Sequence, residues 1–571
     1  MRSRLARPVV YLLGALLLLS LVLLRVAALY RVAFNWDELM LFESVARSLR
    51  EGVFHSGGRP GLVQLLLTPL IAGCSDEIAV GRTARAVWVV VTFAYASGIA
   101  ALLAAFLRDG PGRRHDALLG VALLCLLPVF LEWSIQVRTD QLALACGAWG
   151  VAALLASQRR PALALPAGVL LALGWLASQK LGYVAALGVV LAALRVAADG
   201  WQPVRELARA AQVGLGGSVT WFAFRSVLTS RFEVGPGHPA RAAMTGHLMR
   251  GQLDVFEFYR HTIGWDQYLA LWPTLLPHLA LLALLGVATI LGLRRGRRDL
   301  RVLAAWLVLA TGLAVGLFHA AAFAYFWMTL GLFPAVALAL AAEPIRREVF
   351  AGDPRRLRVA AAALWLALAV PAGRALAQQL DDTQAVQRDS IDFVHRNFDA
   401  SQAGFHPESA LFCGGEPPLG SWFSYTIYQH FHGARRQSEV ARFLETFRDE
   451  PVAYIIESFR LAQFPPELQD FWATHYQPYR ASVFVAGQRL AGAPGAAQPF
   501  DLIVTGRYRW IPIGAASSIR VDEQRLGPGE VAELRAGEHV ARFDASVPDG
   551  VLLLALRDPP RDAPRPFYKS Y

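Results

Sequence analysis

Charge is scarce in this chain. Asp, Glu, Lys and Arg make up 17% of its 571 residues, against 55% hydrophobic. A soluble globular domain carries about 25% charge, so an ordinary soluble class is excluded. Cysteine is scarcer still, with four residues, Cys74, Cys125, Cys146 and Cys413. No two have the spacing of a metal pair, so no zinc site is readable. Internal repeats of the kind that build the two halves of a transporter are lacking. Acids are the minority sign, giving a net charge of +11 and a pI near 9.8. That balance invites nucleic acid, but the arginines sit in short clusters between apolar runs, which is a topology signal and not a binding stripe. Nucleic acid is therefore not an expected partner.

Long apolar runs are what the chain has in abundance. Mean hydropathy is +0.38, and runs of about 18 residues or more recur, the length a bilayer requires. Arg2, Arg4 and Arg7 precede a run over 9–30. At about 20 residues it exceeds the apolar core of a cleaved signal, so a retained first helix is expected, with its N-terminus in the cytoplasm. Further spans are expected near 80–107, 115–132, 139–157, 161–178, 181–198, 207–229, 267–293, 300–319, 322–342 and 357–378. Alternate connections carry Arg108, Arg113 and Arg114, then Arg159 and Arg160, then Arg195, Arg205 and Arg209. Clusters at 294–301 and 346–358 continue the series. The opposite connections, near Ser134, Ser178 and Ala320, are nearly bare. The arginine bias predicts about eleven transmembrane helices with the N-terminus inside and everything beyond Gln378 outside.

The expected fold is a polytopic α-helical membrane protein of the cytoplasmic (inner) membrane, N-in and C-out. Residues 1–379 form the transmembrane domain, with extracytoplasmic loops at 31–79 and 230–266. The second loop is predicted to hold a short helix near 244–260. An extracytoplasmic α/β region follows over 380–499, with a buried strand at AYIIE. A small β-sandwich spans 500–558, where short alternating segments are separated by turn residues, and 559–571 is a loose Pro/Arg-rich end. Cys125 and Cys146 fall inside apolar spans as inert core residues. Cys74 and Cys413 share the outer side, where a disulfide between them is open, because sequence shows no proximity.

The chemistry-bearing residues cluster at the outer ends of the spans. NWDELMLFESVARSL, beginning at Asn35, sets Asp37 and Glu38 before an apolar stripe at helical spacing. Adjacent carboxylates where membrane meets water are costly to keep, which makes them functional candidates. Inverting glycosyl transfer needs a carboxylate to take the acceptor hydroxyl's proton, and a neighbouring acid can orient hydroxyls or raise the base's pKa. A purely local role is equally consistent with the spacing, with Asn35 or Asp37 capping the helix and Glu38 complementing its dipole.

Farther on, Arg138 in IQVRTDQLALA is suited to a phosphate through its planar fork, with Asp140 holding it in place or adding a polar contact. Snorkelling and helix capping are the local alternative. Lys180 and Tyr183 in SQKLGY form a second cationic and polar junction. Candidate cavity-lining residues are Asp140, His55, Arg59, Tyr183, Tyr259, Trp265, His319 and Tyr325. Tyr259 and Trp265 are platforms for a sugar ring or members of an interfacial aromatic belt.

These segments, in this order, resemble the GT-C superfamily of membrane glycosyltransferases, which includes protein O-mannosyltransferases and the aminoarabinose transferases acting on lipid A. NWDELMLFESVARSL matches the acidic motif after the family's first span, with Asp37 in the place of the catalytic base and Glu38 beside it. RPGLVQLL from Arg59 is similar to the next family segment. IQVRTDQLALA is similar to the segment whose arginine reaches the lipid phosphate, and Lys180-Leu181-Gly182 to a lysine before glycine. HAAAFAYFWMTLGLFPAVALAL is similar to a late span with a tyrosine and a following proline. The likeness covers about the first 380 residues at the level of helix topology. In the tail, FDLIVTGRYRW and the strands after it resemble small β-domains of bacterial members, with Val521-Asp522-Glu523 replacing the usual turn.

The resemblance implies an inverting transferase that moves a sugar from a polyprenyl-phosphate donor to a hydroxyl of a lipid, protein or polysaccharide acceptor on the extracytoplasmic face. Asp37 is then the base, Arg138 and Lys180 bind the donor phosphate, and membrane lipids surround the chain. No cofactor is required, because cationic side chains can neutralise a lipid-phosphate leaving group. The oligosaccharyl relatives use a divalent metal, so a metal stays open although no ligand set is readable. A non-enzymatic transporter or flippase of lipid-linked sugars, or a scaffold, is the alternative reading of the same polar residues.

Overall fold

The computed structural model describes residues 25–55, 60–107, 113–200, 202–233, 265–297, 299–318, 326–350, 353–399, 402–414, 422, 424–513, 517–560 and 567. The chain divides into two compact units. The first takes Met1–Val32, Ser48–Ala72 and Arg82–Asp381; the second takes Ala33–Arg47, Gly73–Gly81 and Asp382–Tyr571.

The first unit is helical. Among the described residues, five helices are long and apolar enough to cross a membrane: Glu77–Leu107, Thr139–Ala156, Leu181–Asp199, Met328–Glu348 and Arg355–Gln378. Shorter apolar helices occupy Leu62–Ile71, Pro161–Ala177, His278–Arg294 and Leu300–Gly316. The expected run at 9–30 lies largely outside the described residues, as does the predicted helix at 244–260. Helix Pro203–Arg231 covers the expected 207–229 segment but is not among the helices apolar enough to cross a membrane.

Two expected spans differ from those observed. The 115–132 segment is two helices, Arg113–Cys125 and Pro128–Trp133. Pro128 has no N–H to donate and drives Leu127 to an extended ψ of 126°, which ends the upstream helix. The 322–342 segment, whose first four residues lie outside the described ones, continues past its expected end, as Trp327–Leu330 and Leu332–Glu348. Pro344 lies inside the second of these helices.

A core of buried side chains, including Leu102, Leu103, Leu123, Leu144, Val184, Leu285, Phe333 and Leu338, joins these helices. Helices Ala164–Ala177 and Pro203–Arg231 approach closely at two glycines. A Cβ at Gly168 would fall 2.1 Å from the Val213 carbonyl oxygen, and one at Gly216 would fall 2.4 Å from that of Leu165. Small residues at such crossings let two apolar helices touch backbone to backbone.

The second unit combines helices with two sheets. Its strands are β1 Gly404–Phe405, β2 Tyr454–Ile456, β3 Tyr476–Arg480, β4 Val483–Gly492, β5 Ala497–Leu502, β6 Gly506–Pro512, β7 Ile519–Val521, β8 Gln524–Leu526, β9 Val531–Leu534, β10 Gly537–Phe543 and β11 Val547–Leu554. One sheet has the order β1-β2-β4-β11-β6-β9, with β3 also paired to β4; the other has the order β5-β10-β7-β8. β1 and β2 run parallel, and the remaining pairs are antiparallel. The AYIIE segment supplies β2 as expected. Strand pairing begins upstream of residue 500, and the expected boundary at 499/500 falls inside β5. An aromatic core of Phe405, Phe443, Phe447, Phe464 and Trp472 backs the first strands.

Asp522 and Glu523 form the two-residue turn between β7 and β8, with Val521 opposite Gln524. Asp522 takes φ 52° there and accepts a hydrogen bond from the Val540 N–H at 3.0 Å. Its carboxylate therefore serves the turn. In the end expected to be loose, Phe567 is 2% exposed and its N–H donates to the Glu457 carbonyl. A large apolar ring with a place in the core anchors that position.

Candidate functional site

In the second unit, Asp37 stands on the first turn of helix Trp36–Glu51. The sequence builds that turn as a capping box. Asn35 Oδ1 accepts from the Asp37 N–H at 2.8 Å, and Glu38 Oε2 reaches back to the Asn35 N–H at 2.9 Å. Asn35 is the cap and Glu38 the reciprocal acid three positions on, so two orphan donors of the helix start are satisfied. Asp37 is 6% exposed and Glu38 fully buried. Of the two expected catalytic acids, Glu38 thus has a structural task. Asp37 is left on the turn whose dipole favours an anion.

The residues before the cap are clamped by the C-terminal part of the chain. The Phe34 N–H donates to Gln387 Oε1 at 2.7 Å, and Gln387 Nε2 donates to the Phe34 carbonyl at 2.9 Å. The Ala33 N–H donates to Thr383 Oγ1 at 2.9 Å. The Arg460 guanidinium lies 4.2 Å from the Trp36 ring centroid, a cation–π contact strengthened by burial. Phe42 packs on Phe412 with centroids 5.3 Å apart.

Segment 73–81 is tied to the same region. Cys74 and Cys413 form the disulfide that the sequence left open. Glu77 accepts from the Cys413 N–H at 3.2 Å and pairs with His395 Nε2 at 2.9 Å. Hydrogen bonding to Glu77 holds His395 above its ordinary value of 6.5. Sequence reasoning missed Gln387, Thr383, Arg460 and His395. No local pattern marks a residue whose partner is hundreds of positions away.

In the first unit a polar cluster gathers where helix Thr139–Ala156 starts. Arg138 is the N-cap residue, in extended conformation and 6% exposed. Its carbonyl accepts from Trp88 Nε1 at 2.9 Å, its guanidinium donates to Gln136 Oε1 at 3.2 Å, and the Trp133 ring centroid is 5.4 Å away. Asp140 has Lys180 and Ser178 as its hydrogen-bond partners, with the Arg138 charge also acting on it. It accepts from Lys180 Nζ at 2.6 Å and from Ser178 Oγ at 2.8 Å. Geometry explains these partners, because Ser178 and Lys180 precede helix Leu181–Asp199 and their side chains meet the acid from that connection. Lys180 Nζ also stands 5.8 Å from the Phe326 centroid, and Tyr183 meets the same ring edge-on at 5.8 Å. Arg138, Asp140, Lys180 and Tyr183 are thus one neighbourhood.

Of the remaining cavity-lining candidates, His55 is the one whose side chain is described. His55 Nε2 pairs with Glu51 at 2.5 Å and its N–H donates to Ser48 Oγ at 2.9 Å, a local arrangement at a helix end. Arg59, Tyr259, His319 and Tyr325 lie outside the described residues, as does the side chain of Trp265. Among the described residues no three His, Cys, Asp or Glu side chains come together to hold a metal ion, so no chemical step is assigned to one.

No family model matches the chain, and no curated protein matches it. Solved structures similar to it include the apo oligosaccharyltransferase of Archaeoglobus fulgidus, at 10% identity over 96% of this chain and 97% of that one, with a TM-score of 0.46. The Archaeoglobus oligosaccharyltransferase AglB with an inhibitory peptide and a dolichol-phosphate matches at 10% identity over 95% and 97%, with a TM-score of 0.42. ArnT from Cupriavidus metallidurans in the apo state matches at 12% identity over 84% and 98%, with a TM-score of 0.40.

Proposed function

We propose that this chain is a membrane glycosyltransferase moving a sugar from a polyprenyl-phosphate donor to an acceptor hydroxyl on the extracytoplasmic face, with inversion. The observation that carries the reading is the buried guanidinium of Arg138, fixed at the start of an apolar helix beside the Lys180–Asp140 pair. Ionisable groups are expensive among apolar helices and mark substrate paths. A planar guanidinium matches two phosphate oxygens at once. Arg138 holds the donor phosphate in this reading, with Lys180 as a second cation that Asp140 keeps in place. Charge accumulating on the departing phosphate is then neutralised by side chains already positioned for it.

Asp37 takes the proton from the acceptor hydroxyl as the sugar leaves the donor from its opposite face. Glu38 supports it by closing the capping box. The extracytoplasmic placement rests on the arginine bias and on the Cys74–Cys413 disulfide, a bond that persists in oxidising compartments.

Mass spectrometry of envelope glycolipids and surface polymers from a deletion strain, complemented with variants, tests the reading. Wild type restores a glycan absent from the deletion. Asp37→Asn does not restore it, with transfer reduced on the order of 10²–10⁴-fold and lipid-phosphate donor binding retained by the purified protein. Arg138→Ala weakens that binding by about tenfold or more, the loss of one charge-assisted contact. Full restoration by Asp37→Asn sinks the base assignment, and a glycan profile unchanged by deletion sinks the enzyme reading.

A further inference from the structure

The second unit buries a charged pair that the proposed reaction leaves unused. Glu408 lies in the segment His406-Pro407-Glu408-Ser409 and is 2% exposed, with the Ser458 hydroxyl beside its carboxylate. Its charged neighbour is Arg460, whose Nε is 3.6 Å from Oε1, with both side chains at 2% exposure or less. Arg460 also donates to the Trp422 carbonyl at 2.5 Å and covers the Trp36 ring at 4.2 Å.

The segment is held in an unusual shape. Ser409 takes φ 56°, a left-handed conformation that non-glycine residues rarely adopt, and its N–H donates to the His406 carbonyl at 3.0 Å. The Trp422 N–H closes on the Pro407 carbonyl at 2.9 Å. His406 Nδ1 and Ser409 Oγ are buried without partners.

Packing alone does not account for this pair. A buried ion pair replaced by apolar groups of similar volume is often no less stable. Strained, under-satisfied segments collect where a fold fixes a working group. Here the connection to such a group is short. Glu408 touches Arg460, Arg460 covers Trp36, and Trp36 is the residue before Asp37 on the same helical turn.

We propose that Glu408 is a positioning residue for Asp37: its carboxylate anchors the Arg460 guanidinium over Trp36, and the indole fixes the turn from which Asp37 projects. The proposal rests on the reading of Asp37 as the base. Small displacements of a reacting group reduce rates steeply, so an anchor one residue away has leverage on turnover. Burial pushes the Glu408 carboxyl up to about 7, with the Arg460 charge and a hydrogen bond from Ser458 pulling it the other way. The anchor is therefore weaker at pH 6, where the acid is mostly neutral, than at pH 8. The other titratable groups near it in the chain are His406 on its own segment, which burial holds down at about 4, and Glu457 before Arg460, which burial pushes up. Asp37 and Glu38 follow Trp36 on the helix.

Hydrogen exchange of segment 33–47 in the full-length protein, corrected for intrinsic rates, is the direct test. It is read at pH 6 and pH 8 beside the pH profile of transfer. Wild type is expected to exchange several-fold more slowly at pH 8 and to show kcat rising about tenfold with a midpoint near 7, with KM unchanged. Glu408→Gln, which matches the neutral acid in size, should stay at the pH 6 level in both readouts, and Glu408→Asp should recover part of the rise. A Glu408→Gln protein with wild-type exchange and a wild-type profile overturns the proposal. Asp37→Asn is assayed in parallel. Retained transfer there overturns the base reading, while the exchange comparison still decides whether Glu408 holds the Trp36 turn.

Discussion

Gln387 grips the backbone of Phe34 with both ends of its side-chain amide, accepting from the N–H at 2.7 Å and donating to the carbonyl at 2.9 Å. Both residues are buried. Gln387→Ala leaves a donor and an acceptor of Phe34 without that partner, at a cost of about 1–3 kcal/mol each. Gln387→Glu keeps the acceptor but buries a carboxylate against the Phe34 carbonyl oxygen, so at neutral pH it should cost at least as much. Thermal unfolding and proteolysis of segment 33–47 should rank wild type well above both variants.

Glu38 and Asp37 should part company under mutation. Glu38→Gln retains an oxygen that can reach the Asn35 N–H, as glutamine does in other capping boxes, and should keep most of the transfer activity. Glu38→Ala opens the box and should lower stability by about 1 kcal/mol, a change on the scale of losing a cap. Equal loss of transfer in Glu38→Gln and Asp37→Asn would give Glu38 a chemical role as well.

Lys180 and Asp140 are a pair before they are anything else, with Nζ and Oδ2 2.6 Å apart and side chains 19% and 9% exposed. Lys180→Met strands a largely buried acid, which should destabilise the protein on the order of 3 kcal/mol. Lys180→Met combined with Asp140→Asn should recover much of that loss. Donor binding by the double variant then separates two roles: tenfold weaker binding at restored stability assigns Lys180 to the phosphate, and unchanged binding leaves it to Asp140 alone.

The His395–Glu77 contact has a pH signature. Because the folded pKa of His395 lies above 6.5, its contribution to stability is complete below about 6.5 and is lost as pH rises through the folded value. The side chain of His395 is 42% exposed, so solvent screens the effect and it should stay under about 1 kcal/mol. Melting temperatures of wild type and His395→Gln should differ by a degree or two at pH 5.5 and converge by pH 8.5. A gap that widens with pH contradicts this sign.

Local patterns were the legible part of the structure. Helix-length apolar runs occupy most of the expected segments, since a continuous apolar face needs no distant partner to declare itself. Pro128 was visible too, but the hydropathy around it favoured one span where the missing N–H makes two helices. The sequence offered Asn35 or Asp37 as the cap and gave Glu38 to the helix dipole; the structure makes Asn35 the cap and turns Glu38 back onto the Asn35 N–H. Lys180 and Asp140 were both picked out, but their pairing with each other was not, because it depends on two helix starts meeting. Gln387, Arg460 and Glu408 were illegible for a stronger version of the same reason. Each acts on residues 33–36 across more than 350 positions of chain, and their importance is a property of tertiary contact alone.

The Cys74–Cys413 bond, whose ends are 339 positions apart in sequence, also sets an order of events during synthesis. When Cys74 leaves the ribosome its mate does not yet exist, and nearly all the apolar helices are made before Cys413 arrives. The opening acidic turn therefore waits, incomplete, through most of translation. It acquires its clamp, its aromatic neighbours and its covalent tie together once the last third of the chain has been made. A nascent chain stopped at residue 400 should accordingly hold its apolar helices while the Asp37 turn still lacks its covalent tie and its aromatic cover.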